Sequence, residues 1–327
     1  MKNNALAVAL IQHPPVFLNL SESLKKAKAL IEKTVSEKKV DLVVFPETWL
    51  PGYPVWLDTA PKAGLWDYPP AKALYGILRR NSLVFGKDSM KMLLDMAKKY
   101  EVHIVMGAHE EWGNTLYNTQ IFIHSDGKGY DFHRKLMPTY TERLLWGQGD
   151  GSTLATMETP AGCLGGLICW EHWMPLARAA MHAKKERFHV AQWPAVKELH
   201  QIASRHYAFE GQCYVFAAGT YLTKGDVLEG FDSLGEKNQT SRDLLESIPG
   251  DANTVLQNGG SAIIAPDTSY VVPPLWDTPG ILYGFCPTEP LTEGHLAMDS
   301  DGHYTRPDVF QLKVNTSKQE HVSFFSS

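Results

Sequence analysis

The chain has no apolar run near the ~18 residues that a membrane helix requires, so a membrane partner is not expected. It has no basic stripe either. Lys and Arg are mixed evenly with Asp and Glu and the net charge is −5, which argues against a nucleic-acid partner. Cysteine is scarce: Cys163, Cys169, Cys213 and Cys286 are irregularly spaced and form no CxxC. A chain of this size does not need a disulfide framework, so reduced thiols are expected. Thirteen histidines raise the question of a metal, but there is no HExxH and no paired CxxC. GQGDG (147–151) is not GxGxxG and follows no strand, and GGSAI (259–263) lacks the GxSxG elbow. There is no short-period repeat and no low-complexity segment. The N-terminal MKNNALAVALIQHPP has one lysine and a seven-residue apolar run, Ala5 to Ile11. That is too short for a signal peptide; it reads as a first strand, and the protein as cytoplasmic.

What is present is an ordinary globular balance, with 44% hydrophobic and 20% charged residues. Asn19, with Glu22 three residues on, predicts the start of a helix in which Leu24, Ala27, Ile31 and Val35 form one buried stripe. DLVVF (41–45) reads as a second strand, KDSMKMLLDMAKKY (87–100) as a helix, and VHIVMGA (102–108), TLYNTQIFIH (115–124) and YDFHRK (130–135) as strands. GGLIC (165–169), FHVAQWP, CYVFAAGT, GSAIIAP and GILYGFC read as further strands. The helices MPLARAAMHAKKE and KELHQIASRHYAFEGQ alternate with them. This alternation implies an α/β protein with helices layered outside sheets. Two stretches fit poorly, 55–82 and 222–258, and are expected to be loop insertions in a single domain spanning 1–327.

Three stretches bring reactive side chains to strand ends, where α/β folds place active groups. In GGLICWEHW, Cys169 ends a buried strand; it is either an inert packing thiol or a nucleophile. The other three cysteines read as packing residues. In VVFPETWLPGYP, prolines stiffen the turn that presents Glu47, which could be a general base raised by burial or a cap or surface ion pair. In YDFHRKLMPTYTERLLWGQGDG, Lys135 is either solvated or buried. If buried, it would lower a nearby thiol pKa, make Cys169 react quickly with thiol reagents, and stabilise negative charge on a substrate. Glu142 lies seven residues on, beside Arg143, and reads as its ion-pair partner. His172 reads as a hydrogen-bonded structural histidine.

FPETWLPGYP (45–54), HRKLMPTYTERLLWGQGDG (133–151) and CWEHWMPLAR (169–178) resemble the three signature regions of the nitrilase superfamily, in its chain order. HYTRPDVFQL (303–312) resembles a C-terminal signature of true nitrilases, and the resemblance runs from about residue 5 to residue 315. It implies a four-layer α-β-β-α sandwich. It also implies roles: Cys169 as nucleophile, Glu47 as base, Lys135 as the cation that holds substrate charge, and Glu142 as its support. The Trp170 backbone N–H would join Lys135 at the developing anion. The implied reaction converts an organic nitrile to a carboxylic acid and ammonia through a thioimidate and a thioester, with no metal, nucleotide or redox cofactor. Tyr53, Trp170 and Trp193 are candidate substrate contacts, and a homodimer building into a larger oligomer or spiral is expected. The chain ends soon after residue 312, whereas many relatives have a longer tail, a departure that argues against long filaments. An amidase or a nitrile or cyanide hydratase with the same residues, and an inactive scaffold, are the alternatives.

Overall fold

A computed structural model describes residues 4–235, 237–320 and 322. In chain order the elements are β1 (Ala5–Gln12), α1 (Leu20–Glu37), β2 (Leu42–Val44), α2 (Trp56–Thr59), α3 (Pro69–Arg80), α4 (Asp88–Tyr100), β3 (His103–Trp112), β4 (Thr115–Ile123) and β5 (Tyr130–Arg134). They continue as β6 (Thr156–Thr159), β7 (Gly162–Ile168), α5 (Pro175–His182), β8 (Phe188–Gln192), α6 (Glu198–Gly211), β9 (Tyr214–Ala218), β10 (Tyr221–Thr223), α7 (Lys224–Asp232) and α8 (Gln239–Glu246). The last are β11 (Val255–Ile264), β12 (Tyr270–Trp276), β13 (Gly280–Pro287) and α9 (Glu289–Gly294).

Two mixed sheets result. One runs β13-β1-β2-β3-β4-β5 and the other β10-β11-β9-β8-β7-β6, with β12 paired on β11. The central strands β1, β2 and β3 are parallel, as are β7, β8 and β9. Side chains alternate across a strand, and β1 shows what that does here. Leu6, Val8 and Leu10 enter a core shared with Phe188, Val190 and Phe216 of the second sheet. Ala9 and Ile11 face the opposite way, onto Leu24, Ala27 and Ile31 of α1 and Leu93 and Ala97 of α4. The second sheet mirrors this arrangement: Leu167, Ala191 and Val215 pack on Met181 of α5 and Ala203 and Tyr207 of α6. The layers are helix, sheet, sheet, helix, the expected α-β-β-α sandwich. The α1 start is as expected, with the Glu22 N–H donating to Asn19 Oδ1 at 3.2 Å.

The two stretches expected to be loops instead each hold two helices. The Pro69-Pro70 pair that made 55–82 read as a loop sits in the first turn of α3, where proline's missing N–H has no partner to lose. Residues 222–258 hold α7 and α8 and close the end of the second sheet through β10 and β11; Glu236 lies outside the described residues. The two stretches pack on each other, with Trp56, Leu74 and Ile77 against Val227, Phe231 and Leu245. β12 (YVVPPLW) was not anticipated, because two prolines argue against a strand. Among the described residues it pairs only with β11, and an edge strand tolerates the missing donors. Strand β7 also stops one residue short of the expected end, at Ile168. Among the described residues no helix is long and apolar enough to cross a membrane.

Phe188 is 0% exposed and lies between the sheets, its ring 6.0 Å from Tyr214 and 6.1 Å from Phe216. Phe188→Ala is expected to cost about 3–5 kcal/mol, read as a lower denaturant midpoint at unchanged slope. Phe285, 66% exposed on β13, is the control: its alanine variant is expected to change stability by less than about 0.5 kcal/mol.

Candidate active site

Three strand ends converge. Glu47 follows β2, Lys135 follows β5 and Cys169 follows β7, and each is almost fully buried. Their approach depends on close backbone packing. A Cβ on Gly107 of β3 would lie 2.1 Å from the Pro46 carbonyl and 2.6 Å from the Thr48 amide, so only glycine lets β3 pass the turn that carries Glu47. Gly149 does the same beside Arg134, whose carbonyl would lie 2.2 Å from an added Cβ. The Gly149 N–H then donates to the Lys135 carbonyl at 2.8 Å. Gly149 of WGQGDG therefore serves backbone approach.

Lys135 Nζ lies at the centre. It donates to Glu47 Oε1 at 3.0 Å and to Glu142 Oε2 at 2.7 Å. Asn118 Nδ2 donates to the same Glu47 oxygen at 2.7 Å, while Glu47 Oε2 is buried and accepts no hydrogen bond from the described residues. Glu142 is presented by a short 3-10 turn, Tyr140–Leu144, opened by a capping box. Its Oε2 also accepts the Thr139 N–H at 2.6 Å, and its Oε1 accepts the Tyr53 hydroxyl at 2.9 Å. Arg143 turns away, its Nε donating to the Pro138 carbonyl. The alternative of a Glu142–Arg143 ion pair is thus not what forms.

Cys169 opens another 3-10 turn, Cys169–Trp173, with φ of 54°, in the left-handed region that non-glycine residues rarely occupy. The turn throws the thiol off the strand axis toward the carboxylates. The facing atoms of Glu47, Glu142 and Cys169 all lie within 4.8 Å of one another. That set resembles a metal site, but the Lys135 ammonium is hydrogen-bonded to both carboxylates, and a metal ion would have to displace it. The Trp170 backbone N–H donates to the Cys169 sulfur.

These contacts set the charge states. Burial raises the Glu47 pKa to about 7; Lys135 opposes the shift and Glu142 adds to it. Burial alone would lower Lys135, but its interactions with Cys169, Glu47 and Glu142 favour the charged form, outweigh burial and raise its pKa, so it stays an ammonium. Cys169 departs from expectation. Burial and then Glu47 push its thiol well above the usual value, and Lys135 and the Trp170 N–H only partly offset them. One lysine cannot activate a thiol that faces two carboxylates. The resting group is therefore a protonated thiol that needs a base, and slow reaction with a thiol reagent would not show that it is inert.

A second layer holds the first. Glu171 is buried, and its carboxylate accepts the Leu136 N–H at 2.7 Å and the Ile168 N–H at 2.6 Å. Leu136 is next to Lys135 and Ile168 is next to Cys169, so one carboxylate clamps the two loops together. His133 Nε2 lies 2.9 Å from Glu171 Oε2, with its Nδ1 3.1 Å from the Thr153 carbonyl. Burial alone would raise the Glu171 pKa, but His133 and the two amide donors hold it below the usual value. The sequence reading missed Asn118, Glu171 and His133 as site residues. Thr139-x-x-Glu142 was legible as a capping box, whereas nothing local marks Asn118. Of the candidate substrate contacts, Tyr53 reaches the site through Glu142. The Trp170 ring is 43% exposed at the surface. Trp193 is 0% exposed, stacked between His172 at 4.9 Å and His200 at 4.4 Å. His172 is hydrogen-bonded within the core, as expected.

Chemically, the cluster can take a proton from a thiol, add the sulfur to an electrophilic carbon, and stabilise the negative charge that develops. Known proteins agree with this reading. The carbon-nitrogen hydrolase family profile matches residues 7–293. A nitrilase from Pseudomonas syringae pv. syringae (strain B728a) is 36% identical over 324 residues, covering 95% of this chain and 90% of the relative. An aliphatic nitrilase from Rhodococcus rhodochrous is 33% identical, covering 98% and 82%. The solved structure of a CN-hydrolase superfamily protein from Xanthomonas campestris superposes with a TM-score of 0.66 at 14% identity, covering 90% of this chain and 95% of that one, which shows the shared fold. The chain belongs to the carbon-nitrogen hydrolase family, hydrolases of carbon–nitrogen bonds other than peptide bonds.

Glu171→Gln keeps the size of the side chain but replaces one acceptor with a donor, so it cannot serve both loop amides and His133. It is expected to lower kcat by ~10²-fold through displacement of Cys169 and Lys135, checked by steady-state kinetics on the folded variant. Wild-type kcat would show that the clamp does not position the site.

Proposed function

We propose that this chain is a nitrilase, converting an organic nitrile and two waters to a carboxylic acid and ammonia. The observation that carries the reading is the buried Lys135 ammonium bridging Glu47 and Glu142 beside the Cys169 thiol. Relatives named as nitrilases at 33–36% identity over nearly the whole chain support it.

Glu47 takes the Cys169 proton as the sulfur bonds to the nitrile carbon. The nitrile nitrogen gains negative charge, which Lys135 and the Trp170 N–H stabilise. The nitrogen then accepts the proton, and a thioimidate is formed. A water gives its proton to Glu47 and adds to the same carbon. The carbon–nitrogen bond breaks as the nitrogen is protonated, ammonia leaves and a thioester remains. A second water, activated in the same way, releases the acid and returns the proton to the sulfur. Glu142 holds Lys135 in line through these steps. Cleavage of the carbon–sulfur bond at the tetrahedral stage would instead release an amide, the hydratase outcome.

We also propose that residues 1–327 form one carbon-nitrogen hydrolase domain that works as a homo-oligomer. All four cysteines are free thiols, which supports a reducing, cytoplasmic setting.

Ammonia, acid and amide should be measured for phenylacetonitrile, benzonitrile, an aliphatic dinitrile, cyanide and the matching amides. Ammonia and acid from nitriles but not from amides is the expected result, and turnover of amides alone would make the protein an amidase. Cys169→Ala is expected to lose at least ~10⁴-fold in kcat; substantial residual turnover would remove Cys169 as nucleophile. The base must be ionised to accept a proton, and Glu47 is raised to about 7. Activity is therefore expected to fall about tenfold per pH unit below that point. Glu47→Gln is expected to abolish this acid limb together with ~10²–10⁴-fold of the rate; a pH profile without an acid limb in the wild type would refute the assignment.

A further inference from the structure

A line of buried side chains leads away from the back of the nucleophile. His172 Nδ1 lies 2.8 Å from the Cys169 carbonyl oxygen, and His172 Nε2 lies 3.0 Å from His189 Nε2. His189 Nδ1 lies 3.0 Å from Glu186 Oε1, and the Tyr207 hydroxyl donates to Glu186 Oε2 at 2.5 Å. All four side chains are buried, and none is used in the chemistry above. Beyond Glu186 is a surface cavity of about 410 Å³, also lined by His182, Arg187, Gln212 and Asp299.

The direction of every hydrogen bond follows from its end. A carbonyl only accepts, so His172 Nδ1 carries hydrogen. Burial, with His189 beside it, lowers the His172 pKa to about 3, so the ring is neutral and its Nε2 is a bare acceptor. His189 Nε2 must therefore donate. Burial, with His182 nearby, also keeps His189 neutral, which leaves its Nδ1 bare. Glu186 must then be the donor, as a carboxylic acid. Burial raises its pKa to about 7 against the pull of Tyr207, His182 and Lys184.

The far end of this chain touches the reaction. The Cys169 carbonyl and the Trp170 N–H are the two ends of one peptide unit, and that N–H donates to the sulfur. A hydrogen bond accepted at the oxygen strengthens the donor at the nitrogen and holds Cys169 at its φ of 54°. We infer that His172, His189 and Glu186 form a positioning relay, which holds the Cys169–Trp170 peptide in its charge-stabilising orientation only while one proton is stored at Glu186. Without that proton, Glu186 and His189 Nδ1 would be two acceptors face to face. His189 would shift its hydrogen to Nδ1, His172 would shift its own to Nε2, and a bare Nδ1 would meet the Cys169 carbonyl. The proton leaves through the cavity side; in each imidazole one N–H bond breaks as the other forms, and no bond between heavy atoms changes.

The remaining groups facing the relay are Tyr207, stacked 3.8 Å from His189, and Trp193 on His172. Glu171 and His133 act on His189, Arg178 acts on His172, and Cys213 faces Glu186.

The inference rests on the nitrilase reading for its kinetic test. Glu186→Gln keeps a permanent donor toward His189 and an acceptor for Tyr207. It is expected to hold kcat within about twofold while removing the alkaline limb of the kcat profile. Glu186→Leu and His172→Phe are expected to lower kcat about tenfold with little change in KM. An alkaline limb in Glu186→Gln identical to wild type, or full kcat in a folded Glu186→Leu, would overturn the relay. Alkylation of Cys169 by iodoacetamide at pH 8 needs no nitrile and separates the two readings. At pH 8 wild-type Glu186 has mostly lost its proton, so the comparison is repeated at pH 6, where it keeps it: there the rate is expected to be several-fold slower in Glu186→Leu and unchanged in Glu186→Gln, and equal rates in all three proteins at pH 6 would overturn the relay even if no nitrile were turned over.

Discussion

The site depends on one buried ammonium shared by two buried carboxylates. A charge taken out of water is tolerated only when it is paired and hydrogen-bonded, and Lys135 has both Glu47 and Glu142 within hydrogen-bond distance. The balance is uneven, one cation for two acids, and the protonation states follow from it. Glu47, the carboxylate that also faces the thiol, is raised to about 7, and the thiol keeps its proton at rest. In the proposed reaction, thiol and carboxylate are thereby poised to exchange a proton once an electrophile arrives. A site with a pre-formed thiolate would instead add a third anion beside two carboxylates.

The architecture supplies the remainder. Two sheets packed face to face bring the ends of β2, β5 and β7 together, although Glu47 and Cys169 are far apart in sequence. The Glu171 clamp fastens the loop after β5 to the turn after β7. Gly107 and Gly149 remove the Cβ atoms that would hold the backbones apart. The reactive side chains sit on short turns, and the layers beneath those turns are closely packed.

Much of this was legible from local pattern. The buried strands, the Asn19 cap and the stripe of α1 each rest on neighbouring residues that favour one conformation. Glu47, Lys135 and Cys169 stood out because each follows a strand, and the resemblance joined them with Glu142 into one site. Less legible were the helical character of 55–82 and 222–258 and the strand β12. In 55–82 and β12 proline reads as a breaker unless its position, a first helical turn or a sheet edge, is known; in 222–258 the Gly, Asp and Asn clusters hide two short helices whose buried faces become visible only in the packed structure. Asn118 and Glu171 were missed as site residues because each gains its role from partners distant in sequence.

The sequence by itself determined an α/β chain, its principal strands and helices, and which thiol, ammonium and carboxylates were candidates for chemistry, since these rest on periodicity, caps and residue type. The tertiary structure alone decided the charge states. That the Cys169 thiol is raised despite Lys135, that Glu47 is poised near neutrality, and that Trp193 is enclosed between two imidazoles all depend on distances and burial across strands far apart in the chain. Electrostatic interaction falls with separation and with solvent screening, and neither quantity is written in the order of the residues.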